Sequence, residues 1–292
     1  MSHPVTLEDF RARRFVLDPE DFAWGSNEPD PEPSDRINKE IWDGIIHLPD
    51  DVAIRTSNEY GAVLELMYNS WGSWFEAMGE KQDPIWRAML DAADEFQATT
   101  FNALHGFYRP AIGGLRNIVE LMTVGLDFQI RQDTATDEFA KWRAGASEMR
   151  FGNACDKLIA AVPLQPLKRF LKEKLDDGIF EQKTRERPAG WARRLHDTLS
   201  NYGHSRPTYA MGDLWQSNGP VFVPEAFKRT VTLFFEVLWY SYILIKAARP
   251  NFELPDNVQM VLVNEHIKPT QIAYLCYEFL YLSSEGKTKP EG

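Results

Sequence analysis

Two polar stretches of the chain carry the side chains best suited to chemistry. The first is RRLHDTLSNYGHSRP, residues 193–207. If this stretch is helical, Asp197, Asn201 and His204 lie on one face, because they are four and seven residues apart. A neutral histidine beside a carboxylate and an amide can donate or accept a proton near pH 7. The spacing therefore indicates a candidate site for proton transfer.

A structural interpretation of the same stretch is a helix C-terminus. Gly203 then occupies the left-handed position that ends many helices, and His204 favours the negative end of the helix dipole. His196 and Ser200 share the neighbouring face with Gly203. Residue spacing alone does not distinguish a proton-transfer site from a helix C-terminus.

The second stretch is residues 109–131, RPAIGGLRNIVELMTVGLDFQIR. Apolar residues recur at helical spacing behind Pro110, a residue that suits the first turn of a helix. Arg116 and Glu120 are four residues apart, so their side chains can meet. They belong to a polar stripe on the opposite face, which consists of Arg109, Arg116, Glu120, Thr123, Asp127 and Arg131.

The polar stripe has two interpretations. It is either a solvated face that carries an ion pair, or a polar line that faces an internal groove. The adjacent Gly113 and Gly114 are the reason to keep the groove as an alternative to the solvated face, because glycine weakens a helix interior unless another backbone approaches closely.

The elements that must position these residues are predicted to be helices. Asp83-Pro84 and Pro224 are typical helix starts, and a break falls near Gly106. Residues 231–245 are apolar nearly all round but too short and polar for a membrane span, which predicts a central core helix. The only short strand candidate is 260–264, so the predicted fold is an all-α multi-helix bundle with one core.

The chain is predicted to have three parts. Residues 1–57 form an irregular, acidic N-terminal arm with short helices, residues 58–284 form the bundle, and residues 285–292 form a disordered tail. The Pro-rich segment 27–35 reads as a loop, and residues 205–223 as a long irregular loop between helices.

Composition limits the classes of function. The net charge is −11, and only two cysteines occur among 292 residues. Free thiols fit a reducing cytoplasm, and no signal peptide or membrane span is expected. Residues 164–206 are locally basic, with ten Lys or Arg against six Asp or Glu. Phosphate-loop, dinucleotide, serine-hydrolase and zinc-protease motifs are absent, so no cofactor or metal is predicted.

The two polar stretches together resemble the HEPN-type helical proteins, most closely their abortive-infection and uncharacterised bacterial relatives. The resemblance rests on a helix with Arg116-x-x-x-Glu120 and a later helix ending Leu199-Ser200-x-x-x-His204, and it covers roughly residues 58–250. It implies a helical bundle, often dimeric, with a polar cleft that cuts RNA in active members. The family's ribonuclease signature, Arg followed after four to six residues by His, is absent here.

Three functions follow as hypotheses. The first is an RNA-directed component of a bacterial defence or toxin system, acting as a homodimer or with a protein partner. The others are a non-catalytic interaction protein and a small-molecule-binding bundle with residues 205–223 as a lid. Under the first hypothesis the catalytic residues are His204, Asn201 and Glu120, and the substrate-binding residues are Arg109, Arg116, Arg194 and Arg206.

Overall fold

The structure of the protein is a computed structural model. It describes residues 38–78, 83–131, 135–165, 167, 169, 178–203, 219–250 and 279–280. Regular secondary structure in these ranges is helical throughout, and none of the described residues forms a strand. The predicted all-α multi-helix bundle is therefore confirmed.

Seven helices of eight residues or more make up the described part of the bundle. They are α1 (Leu48–Met78), α2 (Pro84–Leu104), α3 (Tyr108–Ile130), α4 (Thr136–Arg143), α5 (Phe151–Ala160), α6 (Trp191–Gly203) and α7 (Pro224–Ala248). Three shorter elements are the helix Lys39–Trp42, the π-helical turn Asp43–His47 and the 3₁₀ turn Val162–Leu164.

The chain separates into two compact units, Met1–Asp43 and Gly44–Gly292. The second unit contains all seven helices. The predicted arm boundary at residue 57 falls inside α1, three residues before Tyr60, where the backbone leaves helical geometry and the helix kinks. The Pro-rich segment 27–35 lies outside the described residues.

Helix α3 is the centre of the bundle. It packs against α2, α5, α6 and α7, and most extensively against α2. Its apolar stripe is fully buried, as helical periodicity predicts: Ile112, Leu115, Ile118, Val119, Met122 and Leu126 all have no exposed surface. The polar stretch recognised in the sequence is therefore carried by the element on which the others assemble.

Helix α7 supplies the other large share of the core. Phe234, Leu238 and Ile245 are fully buried, so the prediction of a core helix is confirmed. By length and composition alone α7 could cross a membrane, but 72% of its most apolar 18-residue window is buried inside the fold. The buried core helix of a soluble protein can have the same length and composition, so these two properties of α7 are only weak support for a membrane span.

The turn between α2 and α3 depends on a glycine. Gly106 has a φ of +78°, and a Cβ there would overlap the backbone of Val221. The turn therefore requires a residue without a side chain, both for its conformation and for the close approach of the segment before α7. This position agrees with the helix break predicted near Gly106.

The two short helices α4 and α5 both begin without a side-chain cap. The N-cap position of α4 is Ala135, which makes no side-chain cap; Thr134, whose spacing to Asp137 is that of a capping box, lies outside the described residues. Helix α5 begins at Phe151, two residues before Asn153, the start that the sequence pattern predicts for a helix ended by Pro163. Both helices contribute apolar residues to a cluster with Val124 and Phe128 of α3.

Several predictions fall on residues that the structure does not describe. They are the short helices expected before residue 38 in the N-terminal arm, the strand candidate 260–264, and the tail. Beyond residue 250 the structure describes Phe279 and Leu280, which are buried.

Candidate functional site

The candidate site is a three-residue cluster between α3 and α6. Glu120 Oε1 lies 2.8 Å from Arg116 Nη2, one helical turn earlier in α3. The same oxygen lies 2.8 Å from His196 Nε2 on α6. A carboxylate, a guanidinium and an imidazole thus meet at one point, at the boundary between the core and solvent.

The packing of α6 sets the position of His196. Leu195 and Leu199 are buried in the core, which turns the next residue, His196, toward α3 at the edge of the apolar face. Phe151, the first residue of α5, stacks on the imidazole with 4.2 Å between ring centres and 11° between ring planes. The ring is therefore held in place by a stacked aromatic on one face and a carboxylate at one nitrogen.

The contacts of Nε2 define the tautomer of neutral His196. Arg116 Nε also lies 3.4 Å from this nitrogen, but a guanidinium only donates hydrogen bonds. Nε2 cannot accept from Arg116 while it donates to Glu120, and the contact with Glu120 is much shorter. We therefore assign the proton to Nε2, which leaves Nδ1 as the acceptor, 3.8 Å from Asp197 Oδ1.

Glu120 is held in its charged form. Its hydrogen bond with His196 lowers the pKa of the carboxyl below the usual value; partial burial opposes this, and the positive charge of Arg116 lowers it further. The side chain is 35% exposed, so the charge is partly screened by solvent. An ionised Glu120 can orient His196 and stabilise positive charge on its ring.

A cleft of about 1050 Å³ opens over the cluster. The segment 145–152 forms one wall, and residues 182, 183 and 189 from the loop before α6 contribute to another. Its ionisable lining residues are Arg116, Arg150, Lys183, Arg193, Glu120, Glu148, Asp197 and His196. The cleft is large enough for a small ligand or part of a polymer, and it presents cations beside the Glu120–His196 pair.

The cations of the cleft differ in how they are held. Arg193 is fixed, because it donates to Phe180 O at 2.7 Å and pairs with Asp156. Arg150 and Lys183 are exposed, and no described carboxylate pairs with either. Two exposed cations and one anchored cation in the lining suit an extended anion better than a compact neutral molecule.

Only some of the residues predicted to bind or transform a substrate lie in the cleft. Arg116 and Glu120 lie together in the cleft. Arg109 instead donates from Nε to Tyr202 O at 3.0 Å, near the C-terminal end of α6, and Arg194 donates to Ala189 O. Asn201 is half-buried, and neither it nor these two arginines belongs to the described lining of the cleft. His204 and Arg206 lie outside the described residues.

The sequence pattern predicts His204 rather than His196 as the catalytic histidine, because His204 shares a helical face with Asp197 and Asn201. The apolar residues of α6 contained the missing signal: buried Leu195 and Leu199 place His196 at the core boundary, and Asp197, whose side chain is 78% exposed, farther out.

The C-terminal half of the polar stripe on α3 is internal. Thr123 is buried and lies 2.6 Å from the hydroxyl of Tyr240 on α7. Asp127, also buried, receives two hydrogen bonds from Arg131 at 2.9 and 2.6 Å. The interpretation of the stripe as a solvated face is therefore wrong for Thr123 and Asp127. Arg116 and Glu120 lie at the end of the stripe that reaches the surface.

No group of three or more His, Cys, Asp or Glu within the described ranges is arranged to hold a metal ion. Comparison of the chain with family models, with curated proteins and with solved structures finds no match. The geometry of the cleft is consequently the main guide to function.

Proposed function

We propose that this protein is a HEPN-like, RNA-directed component of a bacterial defence or toxin system, and that it cleaves RNA in the cleft over Glu120 and His196. One observation carries the proposal: an oriented imidazole, an ionised carboxylate and a guanidinium meet in a cleft that also holds three further cations. The resemblance of the two polar stretches to HEPN-type proteins points to the same substrate class.

Each member of the cluster has a distinct role in this proposal. Glu120 accepts the Nε2 proton of His196 in a hydrogen bond and fixes the ring. His196 Nδ1 then accepts the proton of a ribose 2′-hydroxyl, as a general base. Arg116 binds the phosphate, because its guanidinium donors match phosphate oxygens.

The proposed reaction forms one bond and breaks one bond at phosphorus. The 2′-oxygen attacks the adjacent phosphorus while its proton passes to His196. The bond to the 5′-oxygen of the next nucleotide breaks, and that oxygen takes a proton from water. The products are a 2′,3′-cyclic phosphate and a 5′-hydroxyl end, and a ribose without its 2′-hydroxyl cannot react in this way.

The test compares the purified full-length protein with His196→Ala and with His105→Gln, which changes a histidine outside the cleft. Labelled single-stranded RNA and its 2′-deoxy analogue are incubated with each protein, and product ends are identified by mass. We expect the parent and His105→Gln to cut RNA alone, and His196→Ala to be slower by about 100-fold or more. RNA that stays intact with the parent protein would overturn the proposal.

A further variant tests the residue that the resemblance implicates. His204→Ala removes the histidine predicted as catalytic from the motif ending α6. If His204→Ala abolishes cleavage while His196→Ala retains it, the general base is His204 and the role of His196 is structural. Sequencing of RNA co-purified with the parent and with each variant identifies the bound RNA in the same experiment. Dimerisation and a cytoplasmic location stay predictions.

A further inference from the structure

A smaller pocket of about 320 Å³ adjoins the cleft. It shares Glu120, Trp142 and Met149 with the cleft, so a ligand can extend from one into the other. We call it the side pocket. Its volume is at the lower end of the range for small-molecule sites, about 300–1,000 Å³, which suits a single planar ring system.

The side pocket is apolar on most sides and has one polar edge. Leu121, Val124, Trp142 and Met149 supply apolar surface. Trp142 is held by aromatic neighbours, with its ring centre 5.6 Å from that of Phe128. A half-buried indole backed in this way is a platform on which a flat ring can stack.

The polar edge is a hydrogen-bonded pair of Glu95 and Asn117. Asn117 Nδ2 donates to Glu95 Oε1 at 3.0 Å. The second amide hydrogen of Asn117 remains, and the carboxylate retains acceptor positions on both oxygens. With Glu120 the described lining holds two carboxylates and no cation, so the side pocket suits a neutral ring with N–H donors and disfavours a phosphate.

We propose that the side pocket binds a nucleotide base beside the scissile phosphate and selects guanine. The inference rests on the proposed function, because the phosphate would lie in the cleft near Arg116. Guanine presents two adjacent donors, N1–H and the 2-amino group, next to the O6 acceptor. Glu95 can accept both donors, and Asn117 can donate to O6.

The other common bases match this edge less well. Adenine and cytosine each present one amino donor beside a ring nitrogen acceptor, which would face the Glu95 carboxylate with like polarity. Uracil has a single N–H between two carbonyl oxygens. The pairing of two donors with one carboxylate is thus the feature that discriminates among bases.

The absence of a side chain at Gly114 leaves room for the Glu95 carboxylate. A Cβ at Gly114 would lie 3.0 Å from Glu95 Oε2 and 2.8 Å from Thr99 Oγ1. A Cβ at Gly113 would have no such atom within 4 Å. The close approach at Gly114 therefore coincides with the polar edge of the side pocket.

The first experiment measures binding of GMP, AMP, CMP and UMP to the full-length protein by calorimetry. We expect GMP to bind about tenfold more tightly than the other three. Glu95→Gln keeps the side-chain size but replaces one acceptor oxygen by a donor, and should abolish the preference. The matched control, Asp94→Asn, makes the same charge change at an exposed neighbour and should retain it. Equal affinities for all four nucleotides would overturn the inference.

A second arm separates this inference from the proposed function by mapping the cut sites in a random RNA pool. Cleavage without enrichment of guanine beside the cut overturns the base assignment but not ribonuclease activity. Selective GMP binding that depends on Glu95, with RNA left intact, retains the side pocket and overturns the proposed cleavage. If Glu95→Gln loses its helical circular dichroism, Asn117→Ala replaces it, because Asn117 is exposed and its loss should also weaken GMP selectivity.

Discussion

Glu120 on α3 and His196 on α6 are joined by a contact of 2.8 Å between Oε1 and Nε2, across 76 residues of sequence. The same oxygen receives the guanidinium of Arg116. One carboxylate oxygen therefore links the central helix to the helix that carries the histidine. This relationship has consequences for stability as well as for chemistry.

The first prediction concerns acid stability. The pKa of Glu120 is lower in the folded protein than the usual 4.5. A depressed carboxyl pKa adds stability that is fully present above the unfolded value and is lost as the pH falls through the folded value. Glu120→Gln should therefore destabilise the protein at pH 7, by about 1 kcal/mol because the side chain is partly exposed.

Urea unfolding at a series of pH values from 7 down to 3 tests this prediction. The difference in unfolding free energy between parent and Glu120→Gln should be constant above about pH 5 and should shrink below it. A difference that grows as the pH falls would contradict the direction of the pKa shift.

The second prediction uses the adjacent glycines of α3 as a matched pair. Gly113→Ala should stabilise the protein by about 0.5–1 kcal/mol, because the new methyl group meets no atom and alanine favours a helix. Gly114→Ala should destabilise it by about 1–3 kcal/mol, because the methyl group would press on Thr99 and Glu95. Thermal and urea unfolding of both variants would measure the difference in their unfolding free energies. If both substitutions stabilise the protein, α2 must be able to move away from the new methyl group at Gly114.

The third prediction concerns the buried carboxylate of Asp127. Its side chain is 2% exposed and pairs with Arg131, with Lys157 Nζ 4.0 Å away. Arg131→Met would leave a buried charge without its main partner and should cost about 3–5 kcal/mol.

Arg143→Met is the control for that substitution. Arg143 pairs with Asp91 at the surface, where both side chains are more than a third exposed. Its loss should cost about 1 kcal/mol or less. Equal melting temperatures for the Arg131 and Arg143 variants would mean that Lys157 compensates fully at Asp127.

The fourth prediction concerns the buried hydroxyl pair of Thr123 and Tyr240. Thr123 Oγ1 lies 2.6 Å from both the tyrosine hydroxyl and Val119 O. Tyr240→Phe should cost about 1 kcal/mol, because Thr123 keeps its backbone partner. Thr123→Val should cost about 1–3 kcal/mol, because it leaves the buried Tyr240 hydroxyl without this partner. The double variant, measured by urea unfolding, should cost less than the sum of the two.

Much of the helical architecture followed from the sequence by itself. Apolar residues at helical spacing identified α3 and the buried α7, and Asp83-Pro84 marked the start of α2, where Asp83 Oδ1 accepts from Trp86 N at 3.0 Å. These features are local: periodicity and capping depend on residues a few positions apart. The pairing of Arg116 with Glu120 was predictable for the same reason.

Only the tertiary structure decided which residues meet across helices. The sequence leaves the rotation of α6 relative to α3 open, and a rotation of about 100°, one residue of helix, exchanges His196 for Asp197. Burial of Leu195 and Leu199 against the core determines that rotation, and the stacking of Phe151 on the imidazole comes from a third helix. The side pocket likewise combines α2, α3 and the residues around α4, whose contacts arise from packing between distant segments and leave no short pattern in the chain.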